Sequence, residues 1–129
     1  MTRFAGYAAL FGIADGAGDT IVKGAFAKAL SDGAQFPLFW QHNAAQRIGT
    51  VEALAEDERG LRVIARLDAP DSRAGDLLAR REVSGLSFGY RARGFRRLDP
   101  GRLLEDIDLF EVSLVTDPLQ PGARVHLVR

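Results

Sequence analysis

The chain has 129 residues, no cysteine, and 17 Lys+Arg balanced by 17 Asp+Glu. That length suits one domain and suffices to bury most of the surface an unfolded chain exposes. The absence of cysteine excludes a disulfide scaffold, a Cys-ligated zinc site, an iron–sulfur cluster and thiol catalysis, and the zero net charge argues against a general nucleic-acid binder. Of the basic residues only Lys23 and Lys28 are lysine, a bias that GC-rich coding explains without any need for guanidinium chemistry.

Arg3 to Phe11 reads as a strand. A basic residue ahead of an apolar stretch is also how a signal peptide starts, but Gly6, Tyr7 and Gly12 interrupt the run and no small-x-small cleavage site follows. No apolar run approaches the roughly 18–20 residues of a membrane span, so a soluble, intracellular protein is expected. After the turn-rich Asp15–Asp19, Thr20 to Val22 is a short β-prone piece. Ala25 to Ser31 reads as a short helix, with Phe26 and Leu30 on one face and Gly33 as its stop.

Phe36 to Trp40 is dense in aromatics and reads as a buried strand. Ile48 to Leu54 and Leu61 to Leu67 read as a hairpin around an acidic turn containing Gly60. The second arm puts Leu61, Val63, Ala65 and Leu67 on one face and Arg62, Ile64 and Arg66 on the other. Asp71 or Ser72 caps a helix running to about Arg81, which Gly85 ends. Leu86 to Arg97 is a long strand, Asp99-Pro100-Gly101 a turn, and Arg102 to Val115 a returning strand broken or bulged near Asp106. Arg124 to Val128 adds a last edge strand. Six or seven strands and two short helices fit a mainly β fold, an antiparallel barrel closed or nearly closed, better than a parallel α/β sheet.

Three segments carry groups that can do chemistry. His42 follows the Phe36–Trp40 run; the other histidine, His126, lies near the C-terminus. Two histidines without carboxylates at ligand spacing make no metal site. Ser87 lies in Gly85-Leu86-Ser87-Phe88-Gly89-Tyr90, where alternation sets it beside Gly89 on the face opposite Leu86, Phe88 and Tyr90, leaving room for close approach. Glu111 lies in Leu109-Phe110-Glu111-Val112-Ser113-Leu114-Val115. Alternation groups Phe110, Val112 and Leu114 against Leu109, Glu111, Ser113 and Val115, so Glu111 is expected to be buried and to need a partner. An Arg such as Arg91 or Arg93 would make it structural; an imidazolium would make it functional. A serine nucleophile needs a base, and the base needs an orienting group. Ser87, His42 and Glu111 supply one of each, but spacing alone does not bring them together.

The chain resembles the prohead (capsid maturation) serine proteases of tailed phages, distant relatives of the herpesvirus assemblins. The resemblance rests on Gly6–Phe11, Asp15 with Gly18–Phe26, Trp40-Gln41-His42-Asn43 with Ile48-Gly49, Gly85–Tyr90, and Leu109–Pro118, in that order. It implies an assemblin-like barrel with flanking helices over residues 1–129. It also implies a serine endopeptidase that cleaves capsid or scaffold protein, with Ser87 as nucleophile, His42 as general base and Glu111 as third member. Ser84 is the alternative nucleophile and Ser113 the alternative polar member. The implied partners are the major capsid protein and its scaffold segment, with self-cleavage and homodimer formation as further expectations. No cofactor, metal, nucleic acid or membrane is implied, and the setting is the bacterial cytoplasm inside assembling proheads. Members of that family commonly continue further past the last block, so a short or processed form is expected here. The competing class is a capsid-assembly module with the same fold and weak or lost activity.

Charge is unevenly placed. Arg80 to Arg102 carries a net +5 and Glu105 to Asp117 a net −5, so these neighbouring strands are expected to pair charge across the ladder.

Overall fold

The computed structural model describes residues 2–33 and 35–129. Those residues form eight strands and two short helices. In chain order these are β1 (Thr2–Leu10), β2 (Asp19–Ile21), α1 (Ala27–Asp32), β3 (Phe36–Trp40), β4 (Asn43–Glu56), β5 (Gly60–Leu67), α2 (Arg73–Ala79), β6 (Gly85–Arg97), β7 (Arg102–Val115) and β8 (Val125–Val128).

The alternation read in β5 is the alternation seen: Leu61, Val63, Ala65 and Leu67 are buried, while Arg62 and Ile64 face out. Each large apolar side chain so enclosed contributes roughly 1.5–3 kcal/mol relative to exposure. β5 lies between β4 and β1, antiparallel to both, and β1 pairs on its other side with β8. The Arg3–Phe11 run is therefore an interior strand of the sheet, with Phe4, Ala8 and Ala9 in the core. The sheet runs β2-β7-β3-β4-β5-β1-β8, with β6 on the other edge of β7. It curls back on itself: Leu86 N donates to Ala123 O (2.9 Å) and Val125 N to Ser84 O (2.8 Å), tying the start of β8 to the start of β6.

The mainly β, barrel-like architecture with two flanking helices matches the sequence reading, with two differences. There are eight strands, and not every pairing is antiparallel. β2 and β3 both run parallel to β7, at Arg102–Leu104 and at Val112–Leu114. They share one edge of that long strand, joined through α1. Alternation tells which face of a strand is buried but carries no record of its partner's direction.

The helix ends are local chemistry. α1 stops at Gly33 in the left-handed region (φ 65°). Ser72 caps α2 by accepting from Gly75 N at 3.2 Å. α2 ends before Gly85, because Arg81 itself turns left-handed (φ 62°).

β7 is the strand that organises the site. β6 faces it from Gly85↔Val115 to Arg97↔Arg102, with irregularities around Asp106 and at Gly89/Tyr90. The opposed charge blocks meet across this ladder: Arg91 Nη2 lies 2.9 Å from Asp108 Oδ2, and Arg96 Nη2 lies 2.9 Å from Glu105 Oε2. At the second irregularity Gly89 pairs with Glu111 but Tyr90 pairs with Leu109, leaving Phe110 as an extra residue on β7. Such a bulge flips the phase of alternation. Ile107 and Leu109 face the core below it, Val112 and Leu114 above it, and Phe110 is 54% exposed. The expected grouping of Phe110 with Val112 and Leu114 is thus corrected, and the bulge comes immediately before Glu111.

Candidate active site

Ser87 and Ser113 are direct partners across the β6–β7 ladder, and Gly89 and Glu111, two residues on, are the next pair on that face. Directly opposed residues project to the same face. Ser87, Ser113 and Glu111 therefore share the side of the sheet away from Leu86, Val112 and Leu114, which lie in the core. On the other edge of β7, β3 runs parallel with Phe39 beside Ser113 and Trp40 beside Leu114.

His42 is brought to this face by a two-residue hairpin turn. Trp40 pairs with Asn43, and the residues between them, Gln41 (φ 53°) and His42 (φ 60°), are both left-handed. Two positive φ values define the type I′ hairpin turn, whose twist matches the flanking strands and whose usual occupants are Asn and Gly. Gln-His in these positions is unfavourable locally and is held from outside. Gln41 N donates to Leu114 O (2.9 Å), and the Gln41 side chain bonds Thr116 through both its amide nitrogen and its oxygen, at 3.2 Å each. His42 N donates to Ser113 Oγ (3.2 Å). The turn is clamped to the end of β7 by backbone and side chain alike. Sequence reading sets His42 directly after the Phe36–Trp40 strand, and β3 does end at Trp40; the hairpin turn that follows folds the imidazole back over β7.

The imidazole meets Glu111. His42 Nδ1 lies 2.5 Å from Glu111 Oε1, and Ser113 Oγ donates to Glu111 Oε2 at 2.6 Å. Glu111 is buried, its side chain 8% exposed, whereas the His42 ring is 42% exposed. The carboxylate thus sits under an imidazole that remains open to an incoming molecule. The Glu111 hydrogen bond holds the His42 pKa above its ordinary value; burial opposes this, and the carboxylate's charge adds to it. Gly89 makes room for the carboxylate: a Cβ there would lie 2.4 Å from Glu111 Oε1 and 3.0 Å from its Cδ and Cγ.

Glu111 is paired with His42, and Arg91 and Arg93 pair instead with Asp106 and Asp108. Ser87 is across the ladder from Ser113, about 4.8 Å away by strand spacing, and is itself 7% exposed. Among the described residues no hydrogen bond joins Ser87 Oγ to His42 or Glu111. Ser84 is elsewhere: its hydroxyl accepts from Arg124 Nη1 at 3.3 Å on the β6–β8 seam. His126 packs edge-on against Tyr7, ring centroids 6.0 Å apart. Among the described residues no group of three or more His, Asp or Glu is arranged to hold a metal, and no helix is long and apolar enough to cross a membrane.

The family model for the caudovirus prohead serine proteases matches residues 1–129. The chain belongs to that family. Within it, the chain is 34% identical over 134 residues to the prohead protease of Enterobacteria phage HK97, covering 98% of this chain and 60% of that protein. It therefore spans less than two thirds of that relative's length. As a prohead serine protease family member its fold is shared with herpesvirus proteases. It superposes on the varicella-zoster virus protease with a TM-score of 0.62 at 19% identity, covering 97% of this chain and 63% of that one. It superposes on the KSHV protease, solved with a hexapeptide phosphonate inhibitor, with a TM-score of 0.60 at 12% identity, covering 99% and 64%. At those identities the likeness is one of fold.

Three contributors to the site were not legible in their roles. Ser113 was an alternative polar member, and its contact with both the Glu111 carboxylate and the His42 backbone has no sequence signature beyond its i+2 position from Glu111. Gln41 and Thr116 lie within the quoted blocks, but nothing marks them as a clamp, since that depends on a register that sequence does not reveal.

Proposed function

We propose that this chain is a serine endopeptidase that cleaves capsid or scaffold protein during prohead maturation. The observation that carries this is the Nδ1–Oε1 contact of 2.5 Å between His42 and Glu111, on the same sheet face as Ser87 in a chain of the prohead protease family.

In this reading Glu111 accepts a hydrogen bond from Nδ1–H, which keeps the proton on Nδ1 and leaves Nε2 unprotonated as a base. Ser87 Oγ attacks the scissile carbonyl as its proton passes to His42 Nε2. The resulting imidazolium is stabilised by Glu111 and then protonates the leaving amine; water repeats the sequence to release the acyl group. The raised His42 pKa suits the second half of this cycle, in which the imidazole must hold a proton until the amine takes it. A major capsid protein and its scaffold segment are the substrates the reading implies, acted on inside the assembling particle.

A non-cleaving assembly module with the same fold is the second reading. It is favoured by the missing Ser87–His42 hydrogen bond. We rank it second because catalytic hydrogen bonds of this kind commonly tighten only once substrate is seated. One experiment separates the two: incubation with a candidate major capsid protein, followed by intact mass, for wild type and Ser87→Ala. Cleavage by wild type and its loss by orders of magnitude in a folded Ser87→Ala is the expected result. Equal cleavage by both removes Ser87 as nucleophile, and no cleavage by either favours the assembly module.

A further inference from the structure

We propose that Ser113 is a positioning residue that sets the tautomer of His42, acting through Glu111 and through the His42 backbone at once. This deepens the proteolytic reading, on which its relevance to rate rests.

Ser113 is fully buried, and its hydroxyl has two partners: His42 N at 3.2 Å and Glu111 Oε2 at 2.6 Å. A backbone N–H can only donate, so Ser113 Oγ receives that bond on a lone pair. The single hydroxyl proton is then committed to Glu111 Oε2. Both partners of the hydroxyl are fixed, so it has no second orientation that satisfies them. The other carboxylate oxygen, Oε1, is left to accept from His42 Nδ1 at 2.5 Å.

The contacts close a ring. It runs from the His42 amide through the Ser113 hydroxyl and the Glu111 carboxylate to the His42 imidazole. One residue is thereby gripped at its backbone and at its ring by the same buried pair. The grip acts where it is most needed, on a left-handed histidine (φ 60°) that its own turn does not favour. It also stops the carboxylate from rotating about its terminal torsion, which is otherwise broad and roughly two-fold. With Oε1 fixed toward Nδ1, the imidazole carries its proton on Nδ1 and offers Nε2 as the base. Ser113 stands directly across the ladder from Ser87, so the hydroxyl that organises the base is built into the strand beside the nucleophile.

The test uses the whole chain with Ser113→Ala and Ser113→Thr. The 15N spectrum of the His42 imidazole and steady-state cleavage of the capsid protein are the readouts. At a pH where His42 is neutral, above its raised pKa, wild type is expected to show the Nδ1–H form alone. Ser113→Ala is expected to populate the Nε2–H form as well, and to lower kcat roughly tenfold to a hundredfold with KM changed by less than about twofold, the loss of one hydrogen bond to a charged group. Ser113→Thr keeps the hydroxyl and is expected to keep the Nδ1–H form even where its methyl lowers Tm. Should Ser113→Ala fail to fold, Ser113→Val, which has the branching of threonine and no donor, takes its place with the same readouts. A folded Ser113→Ala or Ser113→Val with the wild-type tautomer overturns the proposal. The spectrum needs no turnover, so undiminished cleavage by Ser87→Ala, which would sink the proteolytic reading, leaves this test standing.

Discussion

Replacing Gly89 by alanine adds one carbon to the site, and the structure says where it goes. The new Cβ would lie 2.4 Å from Glu111 Oε1 and 3.0 Å from Cδ and Cγ, against an ordinary contact of 3.4–4 Å, so the carboxylate must retreat by on the order of 1 Å. The end of a glutamate usually swings aside at little cost. Here Oε1 is held by His42 Nδ1 at 2.5 Å and Oε2 by Ser113 Oγ at 2.6 Å. A retreat of that size carries both bonds toward or beyond the limit at which a hydrogen bond still counts. Two opposing terms set the stability change: about 1–3 kcal/mol of overpacking, less the roughly 0.4–1 kcal/mol that Gly→Ala contributes by restricting the unfolded chain. A net loss of about 1–2 kcal/mol lowers Tm by several degrees and leaves the protein folded. Activity falls further, because a displacement of about 1 Å in a positioning group costs on the order of a hundredfold in rate. The assay is kcat and KM for capsid-protein cleavage by Gly89→Ala, alongside a thermal melt. Wild-type kcat in a folded Gly89→Ala would refute the claim that Glu111 must sit where it does.

Three further outcomes are expected from other parts of the molecule. Glu111 holds the His42 pKa up, chiefly through its hydrogen bond, and a general base must be neutral. The rising limb of kcat/KM with pH should therefore lie above the ordinary histidine value of about 6.5, and Glu111→Gln should move it to lower pH while reducing the plateau; a limb at or below that value in wild type contradicts the pairing. A raised folded-state pKa also means that the pair stabilises the fold fully below the unfolded histidine value and less as pH rises through the folded one. The Tm gap between wild type and Glu111→Gln should accordingly narrow from acid to alkaline pH. Away from the site, Asp19 is buried and receives Arg102 Nε and Nη2 at 2.8 Å each and Tyr90 Oη at 3.0 Å. Arg102's hydrogen bonds hold the Asp19 pKa down against burial, and burial together with Asp19 pushes the Tyr90 hydroxyl up to about 12. Asp19→Asn should cost about 2 kcal/mol in urea unfolding at neutral pH, less than a fully buried pair because Arg102 is partly exposed. That difference should shrink as pH falls through the folded Asp19 value, since a depressed carboxyl stabilises only above it.

The parts of this molecule that sequence made legible are those set by local pattern. β5 alternates because one face of it meets the core, and the β6–β7 hairpin is marked by Asp99-Pro100-Gly101 and by opposed charge that does pair across the ladder. Ser87, His42 and Glu111 stood out by residue type and by the blocks that carry them. What sequence left open depends on register and on partners distant in the chain. β4 begins at Asn43, earlier than Ile48, because a type I′ turn of Gln and His has no Gly or Asn to announce it. Phe110 points outward because a bulge opposite Gly89 shifts the phase of β7 by one. The same bulge precedes Glu111, so the residue whose partner was open, arginine or histidine, was the one whose surroundings alternation could not resolve.

The proposed activation of Ser87 by the His42–Glu111 pair stands or falls on whether Ser87 reacts as a nucleophile. The most direct measurement is exposure of the whole chain to a fluorophosphonate, with intact mass for stoichiometry and peptide mapping for position, followed over time. One adduct per chain on Ser87, none on Ser84 or Ser113, and a labelling rate that collapses in His42→Ala are the results expected. A label on another residue, or labelling of Ser87 at the same rate without His42, would contradict it.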